Sequence, residues 1–187
     1  MTSNNGSFTD YIERVEFDLE KIYVHRNVLT FNGNINENTV SHAIRLFQSK
    51  PGITRMDLTT MGGSVPDGLS LVSYIREKKP NLHIKVNGYC HSMGTWIFAA
   101  AKKRSIDRYS YLMYHQITSY VFDLANTDDL RSTVDLHEFL YDIMSDLLNP
   151  DGKEELQDFI DRFTNSRKDT CIRAEEAKSL GLATHIV

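Results

Sequence analysis

Apolar positions along the chain recur with two alternating periods. Val28-Leu29-Thr30-Phe31 is a short β-prone run closed by Asn32-Gly33. Val40, Ala43, Ile44 and Phe47 then fall at helical spacing, and Pro51-Gly52 ends that helix. Ile53, Met56 and Leu58 mark a second strand. After Gly62-Gly63, Ser64 is placed to cap a helix with Pro66 in its first turn. Leu69, Val72 and Ile75 form its apolar face, and Pro80 stops it. Ile84 and Val86 mark a third strand. From about Ser92 to Ala101 the pattern is helical and apolar nearly all round, which predicts a buried helix. Ile106 and the run Tyr111 to His115 read as further strands. Repeated β-α-β units with short connections predict an α/β fold built on a mostly parallel sheet.

The period changes after His115. Leu130, Val134, Phe139, Leu140, Ile143, Met144 and Leu147 predict one long helix from Asn126 to Leu148. Asn149-Pro150-Asp151-Gly152 breaks it, and Leu156, Phe159, Ile160 and Phe163 predict a second helix. The pattern leaves two placements open for the long helix: it projects from the body onto another subunit, or it lies on the sheet. Ala174 to Leu180 reads as a short helix stopped at Gly181, and Ala183 to Val187 as a last strand. The expected organisation is one domain over 1–187, with 1–26 as an N-terminal segment.

Composition narrows the class. The chain has 187 residues, 41% of them hydrophobic, and a net charge of −4. That is enough to bury one core, and it speaks against a disordered, collagen-like or nucleic-acid-binding chain. Cys90 and Cys171 stand far apart, which argues against a disulfide framework or a zinc site and suits a reducing compartment. No apolar run approaches the ~20 residues of a membrane span. Met1 to Asp10 lacks the basic-then-apolar order of a signal peptide. The expectation is a cytoplasmic protein without membrane or nucleic-acid partners.

Three local features carry candidate chemistry. Thr59 to Ser64 places two glycines between a strand and a helix, where backbone amides favour negative charge. Asn87 to Gly94 forms a second strand-to-helix junction. Ser92 sits there at the head of the buried helix, with the Met93 amide next to it; this is a partial G-x-S-x-G elbow with Cys90 at the first glycine position. Taken alone, Ser92 reads equally as a plain helix cap. His115 ends a strand. In open α/β sheets sites form outside the carboxyl ends of strands, so the glycines, serine and histidine converge on one region. A serine nucleophile needs a base, and a histidine base needs an acid to orient it. Asp146, Asp151, Asp158, Asp161 and Asp169 all lie late in the chain, and periodicity does not choose among them. The other histidines show no metal-ligand spacing, so no metal and no cofactor are expected.

Met61-Gly62-Gly63-Ser64-Val65, Ser92-Met93-Gly94 and Met113-Tyr114-His115-Gln116 resemble signature blocks of the ClpP family of self-compartmentalised serine peptidases. The segment Asp169 to Ala177 is similar to that family's Asp-containing block, and the likeness extends over roughly Asn27 to Val187. The resemblance implies an α/β, ClpP/crotonase-like fold with a protruding helical handle segment at about 116–165. It implies a catalytic triad of Ser92, His115 and Asp169, and an oxyanion hole from the amides of Gly63 and Met93. Gly62, Ser64, Gln116 and Ile117 would bind substrate. The implied activity is cleavage of unfolded polypeptide or peptides inside a chamber of ring-forming homo-oligomers, stacked heptamers in the family, served by an ATP-dependent unfoldase.

The chain departs from the family in several places. Met61 stands where the family usually has proline, and Gln116 to Tyr120 lacks the usual proline and glycines. Phe8 to Leu19 does not match the axial-loop sequence that engages the unfoldase. His91 stands where a small residue is usual, and reads as crowding, as a second titratable group, or as a partly exposed neighbour without a role. Two other functions stay open: a non-catalytic ClpP-like assembly protein, and a crotonase-type acyl-CoA enzyme.

Overall fold

The computed structural model describes residues 21–118, 127–166 and 168–187. The segments expected to hold the axial loops (Phe8 to Leu19) and the turn into the handle lie outside the described residues.

Strands β1 (Lys21–His25) and β2 (Val28–Asn32) form an antiparallel hairpin, turned at Arg26 with φ 54°. Part of the expected N-terminal segment is therefore an edge strand. Helix α1 (Glu37–Ser49) starts with a reciprocal cap. The Asn36 side chain accepts from the Thr39 amide and the Thr39 hydroxyl accepts from the Asn36 amide, both at 3.0 Å. Strand β3 (Arg55–Thr60) pairs parallel to β2. Ser64 caps α2 (Val65–Lys78) as its position predicts, accepting from the Asp67 amide at 3.3 Å. Strand β4 (His83–His91) then runs parallel to β3.

β4 is longer than its apolar pattern indicated, and it changes partner along its length. Residues His83 to Val86 pair with β5 (Lys103–Ile106), whereas Tyr89 to His91 pair with β6 (Tyr111–Tyr114). The cause is a bulge. Between Leu58 and Thr60 on β3, the partner moves from Val86 to Cys90, so extra residues at Asn87-Gly88 are accommodated on β4. Gly88 takes φ 81° there, its amide donates to the Ser110 hydroxyl at 2.7 Å, and the Thr59 hydroxyl donates to the Asn87 carbonyl at 2.7 Å. A residue with a side chain would resist that backbone conformation.

After β6 come α4 (Thr127–Leu148) and α5 (Glu154–Thr164), close to their periodicity. Strand β7 (Thr170–Arg173) returns antiparallel to β6, α6 (Ala174–Ser179) follows, and β8 (His185–Ile186) closes beside β5. The main sheet runs β1-β2-β3-β4-β5-β8, with β6 and β7 branching from β4.

The core lies where alternate strand residues face helices. Leu29, Phe31, Met56, Leu58, Ile84 and Val86 are fully buried. Such side chains each contribute about 1.5–3 kcal/mol. Burial divides α4: Leu130, Val134, Leu136 and Phe139 are exposed, whereas Met144, Leu147 and Leu148 are buried. The first half of the helix leaves its apolar residues uncovered within this chain, and its end docks on the core. Arg104 ties the C-terminal segment to the body, donating to the carbonyls of Ala101, Leu182 and Gly181 at 2.7, 2.8 and 2.9 Å. No helix among the described residues is long and apolar enough to cross a membrane.

Candidate active site

Strand β4 ends at His91, and α3 (Met93–Ala99) begins two residues later. Ser92 makes that turn alone, at φ 51° and ψ −126°. A non-glycine residue there stores on the order of 1–3 kcal/mol. The turn is held by the Ser92 amide, which donates to the Met113 carbonyl at 2.8 Å, and by the Ser92 carbonyl, which accepts from the Thr95 amide and hydroxyl at 2.9 and 2.7 Å. The Ser92 side chain makes no capping hydrogen bond. The plain-cap reading therefore fails: the hydroxyl stands at the helix head without satisfying it.

Glycines make the turn sterically possible. A Cβ on Gly62 would come within 2.7 Å of Ser92 Cβ and 2.9 Å of the His91 carbonyl. A Cβ on Gly94 would strike Thr60 Cγ2 and come within 3.0 Å of Cys90 Sγ. Gly94 thus lets α3 approach β3, and Cys90, wholly buried, fills the place of the elbow's first glycine. Burial pushes the Cys90 thiol pKa up, so it stays a neutral packing group.

Gly63 lies beside the elbow at φ 143°, where a Cβ would strike the Ile35 carbonyl oxygen. Its neighbours complete a bridge to Ile35: the Ile35 amide donates to Gly62 and the Ser64 amide to Ile35, both at 2.8 Å. Among the described residues, neither the Gly63 nor the Met93 amide donates to a backbone carbonyl. Two free donors beside a serine hydroxyl are what a developing oxyanion requires.

A cavity enclosing about 70 Å³ brings these groups together; Gly63, Ser92, Met93, His115, Gln116 and Ile117 all line it. Its inner wall is apolar, formed by Trp96, Tyr114, Met144 and Phe163. Tyr114, Phe159 and Phe163 form an aromatic cluster behind it, with ring centroids 5.1–5.4 Å apart. Gln116 is tied to α5 by its amide, donating to the Thr164 carbonyl at 2.6 Å, and the Ile117 amide donates to the Tyr141 hydroxyl at 3.1 Å. Gly62 and Ser64 are not part of the lining; one packs under Ser92 and the other caps α2.

His115 Nδ1 lies 2.5 Å from the Gln116 carbonyl oxygen. A carbonyl only accepts, so Nδ1 carries the proton and Nε2 keeps its lone pair, the tautomer a base needs. Asp169 stands elsewhere. It is exposed, just before β7, and among the described residues no hydrogen bond or ion pair joins it to His115. Both nonetheless lie at the same end of one ladder: its last pair is Tyr114 with Thr170, and His115 and Asp169 are the residues just beyond it.

His91 was not singled out as a site residue, and its burial differs from a partly exposed neighbour. It is 6% exposed, packed between the rings of Tyr89 and Tyr111 with centroids 5.1 Å away on each side. Burial holds its pKa below the ordinary value of 6.5, the Asp169 charge acts upward and His115 acts downward. No sequence signal marked this, because its neighbour Tyr111 comes from a strand paired only in the fold. Among the described residues no group of three or more His, Cys, Asp or Glu side chains is placed to hold a metal.

A family model described as Clp protease matches residues 13–187. The ATP-dependent Clp protease proteolytic subunit 1 of Prochlorococcus marinus is 31% identical over 130 residues, covering 68% of this chain and 63% of that protein. The chain thus spans just under two thirds of that relative. The ATP-dependent Clp protease proteolytic subunit of Borreliella afzelii is 26% identical over 188 residues, covering 96% and 91%. Among solved structures, a ClpP1 mutant from Listeria monocytogenes superposes with a TM-score of 0.70 at 18% identity, covering 94% of this chain and 95% of that one. That likeness concerns the fold.

Proposed function

The chain belongs to the Clp protease family, and on that premise we propose that it is a serine peptidase whose nucleophile is Ser92 and whose base is His115. The observation that carries this reading is the strained, uncapped Ser92 on the same cavity as His115 and two free amides. Ser92 Oγ attacks the scissile carbonyl while His115 Nε2 takes its proton. The amides of Gly63 and Met93 hold the oxyanion, and His115 returns the proton to the leaving amine. Water then repeats the sequence on the acyl-enzyme. Asp169 is the acid in this reading; it turns onto His115 in the working state and stabilises the imidazolium.

The substrate is an extended polypeptide. The cavity admits one side chain, and its apolar inner wall favours an apolar residue before the cleaved bond. Gln116 and Ile117 lie along its edge, beside the main chain of such a segment. Self-assembly into a chamber is supported by the exposed apolar residues of α4, Leu130, Val134, Leu136 and Phe139. An ATP-dependent unfoldase partner belongs to the same reading, following from family membership.

The exposed Asp169 specifically favours the second reading, a non-catalytic assembly protein. One experiment separates the two: a fluorophosphonate probe and a fluorogenic peptide, applied to the protein and to Ser92→Ala. The peptidase labels at Ser92 and loses turnover by several orders of magnitude in the variant. Assemblies of high native mass without labelling would leave only the scaffold.

A further inference from the structure

His91 presents two buried ring nitrogens, and among the described residues neither has a hydrogen-bond partner. A neutral imidazole carries one donor and one acceptor, and leaving either dry is unfavourable. The cation is disfavoured further, since burial holds the ring below its ordinary pKa. The ring is therefore a neutral N–H donor held in place by Tyr89 and Tyr111, one residue from the nucleophile.

What it lacks is an acceptor, and the sheet supplies one nearby. His91 is paired with Met113, and Met113 with Cys171. Two residues along that ribbon, just past the Tyr114–Thr170 pair, stand His115 and Asp169. The titratable groups facing His91 are Tyr89 from its own strand, Tyr111 and His115 from β6 and its exit, and Asp169 from the entry to β7, with Cys171 and Arg173 exposed farther along β7. Of these, Asp169 carries the negative charge that reaches the ring.

Resting on the peptidase reading, we propose that His91 is a positioning residue for Asp169. Its ring N–H donates to the Asp169 carboxylate when that carboxylate turns onto His115, so the acid is held between two imidazoles. One of the two ring nitrogens now buried without a partner is satisfied in the working state, and the exposed carboxylate is held at two points instead of one. His91 does not touch substrate; it acts through Asp169.

The test is a double-mutant cycle on the full chain with Asp169→Asn. His91→Ala lowers kcat about tenfold, the worth of one charge-assisted hydrogen bond, with KM unchanged. In the Asp169→Asn background the same substitution costs nothing more. His91→Asn and His91→Gln, which keep an N–H near one or other ring nitrogen, show which of them recovers activity and control for folding. An equal loss in both backgrounds, or wild-type kcat in folded His91→Ala, overturns the proposal. A second readout does not need turnover: the His91 ring, followed by NMR against pH, titrates lower in Asp169→Asn. If Ser92 takes no probe but that shift is present, the pairing stands and the peptidase reading falls. Labelled, active protein without coupling has the opposite meaning.

Discussion

Gly62→Ala is the sharpest perturbation of this site, because the added atom lands on Ser92. Its Cβ would stand 2.7 Å from Ser92 Cβ and 2.9 Å from the His91 carbonyl. Carbon pairs prefer about 3.5–4.0 Å, so Ser92 must move by about 1 Å. A displacement of that size costs about 10²-fold in rate. The backbone also resists, since Gly62 sits at φ 94°, which adds on the order of 1–3 kcal/mol of strain. Gly88→Ala is a matched control: it has φ 81° and open space where its Cβ would go. Both variants are expected to lose stability, read as denaturation midpoints. Turnover of a fluorogenic peptide by the folded fraction should fall about 10²-fold in Gly62→Ala and stay within a few-fold in Gly88→Ala. Equal losses of turnover in the two would mean that crowding of Ser92 is not the cause, and the argument for a positioned nucleophile would fail.

Other outcomes follow from the packing. Arg104→Ala removes donors from three carbonyls; it should cost about 2–4 kcal/mol in denaturant unfolding, with Arg104→Lys recovering only part because it lacks the planar fork. His91 and His83 are both held below 6.5, chiefly by burial. The unfolded chain therefore takes up protons near that pH that the folded form refuses, and stability falls as pH drops through and below that value. Thermal unfolding across pH should show this acid limb, and His91→Asn should make it shallower. Cys90 is buried with its thiol pKa raised, whereas Cys171 is exposed. A thiol reagent should modify one cysteine in the folded monomer, Cys171 by peptide mapping, and the second only on unfolding.

Periodicity located the elements that bury a broad apolar face. α4 and α5 fell near their spacing because Met144, Leu147, Phe159 and Phe163 must all turn inward. β7 escaped notice because Ile172 is its one buried residue, and a strand whose other positions are half-buried or exposed leaves almost no pattern. β4 was underestimated because Asn87-Gly88 reads as a turn, whereas the fold uses it as a bulge inside a continuing strand. At the site, residue types and order brought out Ser92 and His115. The backbone angle of Ser92 and the burial of His91 were not accessible, since both depend on Met113 and Tyr111 arriving from a distant strand. Asp169 could be selected only by resemblance, and the structure places it next to the strand end that carries His115 without joining the two.

The branch in β4 divides the site mechanically. Ser92, Gly63 and Met93 ride on the broad sheet and its helices. His115 and Asp169 follow and precede a two-stranded ribbon, β6 and β7, which among the described residues pairs to β4 through Tyr89, Cys90 and His91 alone. Any tilt of that ribbon about its short seam would carry His115 and Asp169 together relative to Ser92 and the Gly63 and Met93 amides. The hydrogen bond from the Ser92 amide to Met113 lies at the seam itself. The peptide bond that shapes the Ser92 turn is thereby also a latch on the ribbon that carries His115.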